Sequence, residues 1–188
     1  MKKQDHFLQG NPVAFTFLTL LCLLVACQSG SQTNQAKRPA VDIHTAIATG
    51  NMEALKQHVA AGTDLNEKDP MGGSSPLITA CLFGKTEMAK ALIDAEAAIN
   101  FTNNDGSTPL ITAAFFCRPE IVQLLLAKKA DKNIKNKYGQ TAKECVSDPF
   151  ANVKSTYEMI GKMLAPLGLK LDYTYIEKER PVIAAMLQ

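Results

Sequence analysis

Gly73-Ser74-Ser75-Pro76-Leu77-Ile78-Thr79-Ala80 returns 33 residues later as Gly106-Ser107-Thr108-Pro109-Leu110-Ile111-Thr112-Ala113, and Gly139 stands another 33 residues on. A fixed period of this length marks a repeated supersecondary unit, each copy too small to bury its own apolar face and therefore stacked on its neighbour. Within one copy, Gly73 serves a turn and Pro76 takes a first helical position, where its missing N–H costs nothing. The pattern predicts a short helix over 77–83, ended by Gly84. A second helix over 87–95 follows, with Met88, Leu92 and Ile93 spaced as one buried stripe. The next copy keeps register at Leu110, Ala113, Glu120 and Leu125, and its second helix, over 120–128, carries Ile121, Leu124, Leu125 and Leu126 toward the core.

Working outward, Ile43-His44-Thr45-Ala46 followed by Gly50-Asn51 opens an earlier copy, which Ala61-Gly62-Thr63-Asp64-Leu65-Asn66 closes. One inserted residue near Pro70-Met71-Gly72 separates it from the next. Gln57 and His58 replace the Ala91 and Leu92 of the following copy, as suits a terminal unit whose outer face meets water. Downstream, Tyr138-Gly139-Gln140-Thr141-Ala142 opens a fourth copy that soon degenerates. Lys143 falls where Leu77 and Leu110 stood, and Asp148-Pro149-Phe150 interrupts the place of the interhelical glycine. A helix over 153–164, with Tyr157, Ile160 and Leu164 on one side, leads to one or two more helices carrying Leu169, Leu171, Tyr173 and Ile176, then Val182, Ile183, Met186 and Leu187 after Pro181.

The Thr-Pro-Leu core, the Gly-Asn between helices and the Gly-x-Asp-x-Asn close together resemble the ankyrin repeat family. The resemblance covers about residues 42–164 and implies an all-α solenoid of about four helix-turn-helix repeats, at 41–69, 70–102, 103–135 and, degenerate, 136–164, closed by a C-terminal helical cap over 165–188. It implies that His44 hydrogen-bonds between neighbouring turns. Cys117 stands where the family places its interhelical glycine, a position whose left-handed backbone costs a side chain about a kilocalorie. The family grips partner proteins on a concave surface made of turn tips and first-helix edges. Carried onto this chain, the tips are 69–74, 102–107 and 135–140, and the edges include Ala48, Thr49, Leu82, Phe83, Phe115 and Phe116. Leu82, Phe83, Phe115 and Phe116 form an apolar strip rimmed by Asn103, Asn104, Asp105 and Lys137, and two readings stand side by side. In one, an exposed strip of this kind marks a binding site. In the other, the leash or the C-terminal segment covers it, or one Phe of each pair turns into the core.

Composition and termini bound the setting. With 20 Lys plus Arg against 18 Asp plus Glu and no basic cluster interleaved with aromatics, nucleic acid is not an expected partner. Lys2 and Lys3 precede an apolar run over 13–26, the length of a signal-peptide core and too short for a spanning helix. That run ends in Leu24-Val25-Ala26-Cys27, which resembles the bacterial lipobox. The resemblance implies a signal peptide at 1–26 and acyl chains, palmitate among them, on Cys27. Residues 27–40 read as a flexible linker rich in Ser, Gln and Thr. The expectation is a monomer tethered in the bacterial envelope, on the periplasmic face of the outer membrane, holding another envelope protein. Exported ankyrin proteins resembling it act as immunity-type inhibitors of delivered toxins or as helpers in oxidative-stress defence.

Catalytic chemistry finds no constellation. His44 and His58 stand apart from any Cys or carboxylate at metal-ligand spacing, so no metal and no cofactor is expected. Cys81, Cys117 and Cys145 each lie in apolar helical phrases and read as small buried hydrophobes, not as a disulfide framework. No nucleophile elbow or phosphate loop is present, and the chain is read as a non-enzyme. The alternative is a small-ligand binder or enzyme between the last repeat and the C-terminal helices, using Tyr173, Tyr175, Glu177 or Arg180.

Overall fold

The computed structural model describes residues 39–188. Cys27 and the signal-peptide and linker readings up to residue 38 lie outside them. Among the described residues the fold is all-helical: α1 Ile43–Thr49, α2 Met52–Ala60, α3 Pro76–Phe83, α4 Thr86–Asp94, α5 Pro109–Phe115, α6 Pro119–Ala127, α7 Glu144–Ser147, α8 Phe150–Leu164, a 3-10 turn Ala165–Leu167, and α9 Tyr173–Met186.

Local chemistry places the helix starts. Asp42, Asn51, Ser75, Thr108 and Asp172 each accept a backbone N–H of the first turn with a side-chain oxygen, so a donor without a helical partner is satisfied. Pro76, Pro109 and Pro119 sit at the start, where a helix needs no donor. Gly50 and Gly84 end α1 and α3 with φ of 78° and 64°. Cys117 occupies the same place after α5 with φ 51°, the left-handed conformation expected of it.

Packing follows from these starts. The first helices α1, α3, α5 and α7 stack in sequence, and α4 and α6 stack behind them. Leu55, Leu77, Leu92, Leu110, Ile121 and Leu125 are fully buried in a core running the length of the stack. Each such side chain contributes about 1.5–3 kcal/mol of burial. His44 behaves as the resemblance implies: Nε2–H donates to the Glu67 carbonyl at 3.1 Å, and Nδ1 lies 2.9 Å from the Thr79 hydroxyl of the next repeat. His58 departs from expectation. It is 1% exposed, fixed between the Val41 carbonyl at 2.8 Å and the Thr63 hydroxyl at 3.1 Å. The end of the stack is therefore plugged by a satisfied ring, and of these two polar residues only Gln57 meets water.

The fourth repeat is rebuilt. Its first helix, α7, stops after four residues at Asp148-Pro149. The following α8 packs mainly against α9 and the 3-10 turn and does not take the second-helix place. That place goes to α9, which packs on α7 and on α6, the second helix of the previous repeat. Ile183 and Leu187 join the main core, so residues beyond 164 complete a repeat as well as close the stack. One helix runs through Pro181, where the sequence had allowed two.

Candidate functional site

Of the two readings of the apolar strip, the covered one holds at Phe115 and Phe116. Phe116 is 7% exposed, and Phe115 is half-buried. Phe115 stacks on Tyr157 of α8 at 4.6 Å between centroids and meets Phe116 edge-on at 5.0 Å. Tyr157 is fully buried and donates its hydroxyl to the Phe115 carbonyl at 2.6 Å. The physical reason is the excursion of α8. Having left the stack, it needs an apolar seat, and Phe115, Cys117, Phe150, Tyr157 and Ile176 form a second small core beneath it. Leu82 and Phe83, one repeat away, remain half-exposed.

A buried guanidinium ties that second core together. Arg180 of α9 is 2% exposed and donates from Nη1 to the Tyr157 hydroxyl and from Nη2 to the Asp148 carbonyl, both at 2.9 Å. Its Nε has no hydrogen-bond partner and no carboxylate pairs with it among the described residues. Such a cation is costly unless its environment is rigid, and the face of Tyr157 at 5.9 Å supplies part of the compensation.

What remains open is a row of turn tips. Asp69, Asn103 and Asn136 organise the three tips, each accepting successive backbone N–H groups: Met71, Gly72 and Ser74 on Asp69, Asp105 and Ser107 on Asn103, and Tyr138 and Gln140 on Asn136. Burial opposes ionisation of Asp69, but those donors outweigh it and hold its carboxyl below the usual value. The tips are joined into one row, with Asn104 N–H donating to Gly72 at 2.9 Å and Lys137 N–H to Asp105 at 2.8 Å. Gly73, with φ 66°, permits the approach, since a Cβ there would collide with the Asn104 carboxamide. Asn104, Asp105 and Lys137 are exposed as expected, whereas Asn103 is half-buried and spent on holding its turn. Met71 and Tyr138 lie within the first and third tips that the sequence assigned to the grip surface without singling them out, and they are 71% and 73% exposed. The inserted residue of the first tip was the available signal for Met71, because a longer loop pushes its side chains outward.

The alternative site does not assemble around its four residues. Glu177 and Arg180 line a cleft of about 470 Å³ with Lys143, Ser147 and Phe150, while Tyr173 and Tyr175 lie outside its lining. Arg180 is committed to internal partners. Burial pushes the thiols of Cys117 and Cys145 up to about 11 and that of Cys81 higher still, so none offers an accessible thiolate. Among the described residues no group of three or more His, Cys, Asp and Glu is placed to hold a metal ion, and no helix is long and apolar enough to cross a membrane.

A stack of paired helices with a bonded row of projecting turns defines a repeat scaffold for gripping another protein. The family model for ankyrin repeats, which describes three copies, matches residues 43–136, half of the chain, and the chain belongs to that family. Human protein phosphatase 1 regulatory subunit 27 is 37% identical over 63 residues, spanning 34% of this chain and 40% of the relative. The crystal structure of the ankyrin repeat domain of Bcl-3, a member of the IkappaB protein family, superposes with a TM-score of 0.54 at 25% identity, covering 68% of this chain and 57% of that one. In both cases the chain spans less than two thirds of its relative. Ankyrin repeats make it a protein–protein interaction module.

Proposed function

We propose that this protein is a non-catalytic binding module held by lipid on Cys27 in the bacterial envelope, and that it grips an envelope protein along the turn-tip row. One observation carries the choice of surface: the tips are bonded into a rigid row that leaves Met71 and Tyr138 exposed at its ends. Exposed Met and aromatic side chains on a pre-ordered backbone are what interface cores are made of, because little entropy is lost when a partner covers them. Leu82 and Phe83 supply half-exposed apolar area from α3. A non-catalytic role is in keeping with a relative named as a regulatory subunit. The lipobox-like Leu24-Val25-Ala26-Cys27 and the polar leash after it support the tether. Blocking a toxin or assisting oxidative-stress defence are both ways such a module acts, and a toxin gene or a catalase gene beside its own would separate them.

The test uses the full-length lipoprotein. Partners cross-linked and captured from membranes are quantified for the natural chain and for a Met71→Asp plus Tyr138→Asp variant; the expected result is loss of a specific partner by the variant with unchanged helical content. Retention of every partner by the folded variant rejects the row as the interface. Phe116→Asp is unsuitable for this purpose, since it would bury a charge. In parallel, Cys27→Ser is expected to shift the protein from the membrane to the soluble fraction, and continued attachment rejects lipidation as its cause.

A further inference from the structure

The three inter-repeat segments carry very different charge. From the end of each second helix to the next proline or its equivalent, residues 61–76 have Asp64, Glu67 and Asp69 against Lys68, a net −2. Residues 95–109 have Glu96 and Asp105, again −2. Residues 128–142 have Lys128, Lys129, Lys132, Lys135 and Lys137 against Asp131, a net +4. Stacking does not explain the reversal, because all five lysines are exposed.

The forward part of this charge flanks one exposed aromatic residue, Tyr138, on the third tip and at the entry to α7. Lys137 precedes Tyr138 on the tip, Lys135 reaches Glu144 at 3.5 Å, and Lys143, just before α7 and one residue from Glu144, is exposed and lines the cleft that Glu177 also lines. Lys128 is engaged by Asp94 at 3.6 Å and Lys132 by the Gln188 main chain at 2.7 Å. Lys129, Lys137 and Lys143 make no ion pair among the described residues. The neighbouring acids are Glu144, Glu177 in the same cleft as Lys143 and, one tip away, Asp105.

We infer that the third tip and the entry to α7, through the exposed Lys135 and Lys137 beside Tyr138 and through Lys143, dock an acidic segment of the partner protein. This rests on the reading of the tip row as the binding surface and names the partner's chemistry there. Lysines lack the planar fork of arginine, so a flexible lysine set suits several carboxylates spread along a segment more than one fixed phosphate. A single tyrosine offers no successive platforms for bases. The acids of the first two segments repel the same partner segment, which fixes its register along the row.

The experiment uses the full-length chain in a non-ionic detergent and a dye-labelled ten-residue glutamate peptide as probe. Lysine acetylation followed by mass spectrometry is expected to show Lys135, Lys137 and Lys143 protected by the peptide, and Lys154, Lys162 and Lys178 unprotected. Affinity by fluorescence anisotropy should fall about tenfold or more in a Lys135→Glu, Lys137→Glu, Lys143→Glu variant, and weaken as salt rises. Lys154→Glu, Lys162→Glu, Lys178→Glu makes the same change in net charge at another surface and is expected to leave affinity nearly unchanged. Equal losses in the two variants overturn the inference, as does protection of the three lysines by phosphatidylglycerol vesicles but not by the peptide. In the membrane capture above, loss of the partner by the Met71 and Tyr138 variant together with full retention by the Lys135 set overturns the acidic-partner inference and leaves the row reading intact. Peptide protection of the three lysines beside partner retention by the Met71 and Tyr138 variant overturns the row reading and leaves the acid site standing.

Discussion

Gly62, Glu96 and Lys129 occupy one place in three successive repeats, just past the second helix, and all have positive φ, at 68°, 64° and 62°. Glycine enters that conformation without strain, whereas glutamate and lysine bring a Cβ against the following carbonyl. Glu96→Gly and Lys129→Gly are each expected to raise stability by about 0.5–1 kcal/mol, read as a higher melting temperature; a lower one would show that local side-chain contacts outweigh the strain. Cys117, with φ 51°, belongs to the parallel series of Gly50 and Gly84, but its side chain is fully buried and its thiol lies 3.7 Å from the Ile176 carbonyl. Strain there is offset by packing, so the glycine that would relax the backbone would also empty part of the second core. The departure from the repeat was legible at this residue, and the reason for tolerating it was not, because Ile176 lies 59 positions away.

At the scale of elements, α8 decides between the two readings of the aromatic strip at Phe115 and Phe116. Phe115 and Phe116 carry the chemistry of an exposed grip surface only if nothing returns to cover them, and α8 does return. Tyr157 is the contact on which this return depends, joining the Phe115 ring, the Phe115 carbonyl and Arg180. Tyr157→Ala should cost about 3–5 kcal/mol and loosen α8, visible as faster amide exchange over 150–164. Tyr157→Phe keeps the stacking and removes the hydroxyl, at a cost of about 1–3 kcal/mol, since Arg180 Nη1 would lose its acceptor. Equal stability of both variants and the natural protein, in urea titration, would show that α8 is not held there. The helical spacing of Tyr157 marked it as inward-facing from the sequence alone. Its partner did not show, since periodicity gives the side of a helix that is buried and says nothing of what lies against it.

For the molecule as a whole, stability is a chain of nearest-neighbour interfaces, and α9 supplies the last of them. Removing residues 165–188 takes away Ile183 and Leu187 from the main core and leaves α6 and α7 uncovered on that side. Such a truncation is expected to melt well below the full chain and to expose the end of the third repeat to proteolysis; an unchanged melting temperature would show that α9 is an accessory. The 33-residue period, its prolines, caps and glycines determined the solenoid, the number of repeats and their core stripe, because each is a local consequence of backbone geometry repeated in register. The tertiary structure alone decided that α9 rather than α8 completes the fourth repeat, that Phe115 and Phe116 are covered, and that Met71 and Tyr138 mark the ends of the open row. Those outcomes depend on which distant segments compete for the same apolar surface, and a linear pattern does not encode that competition.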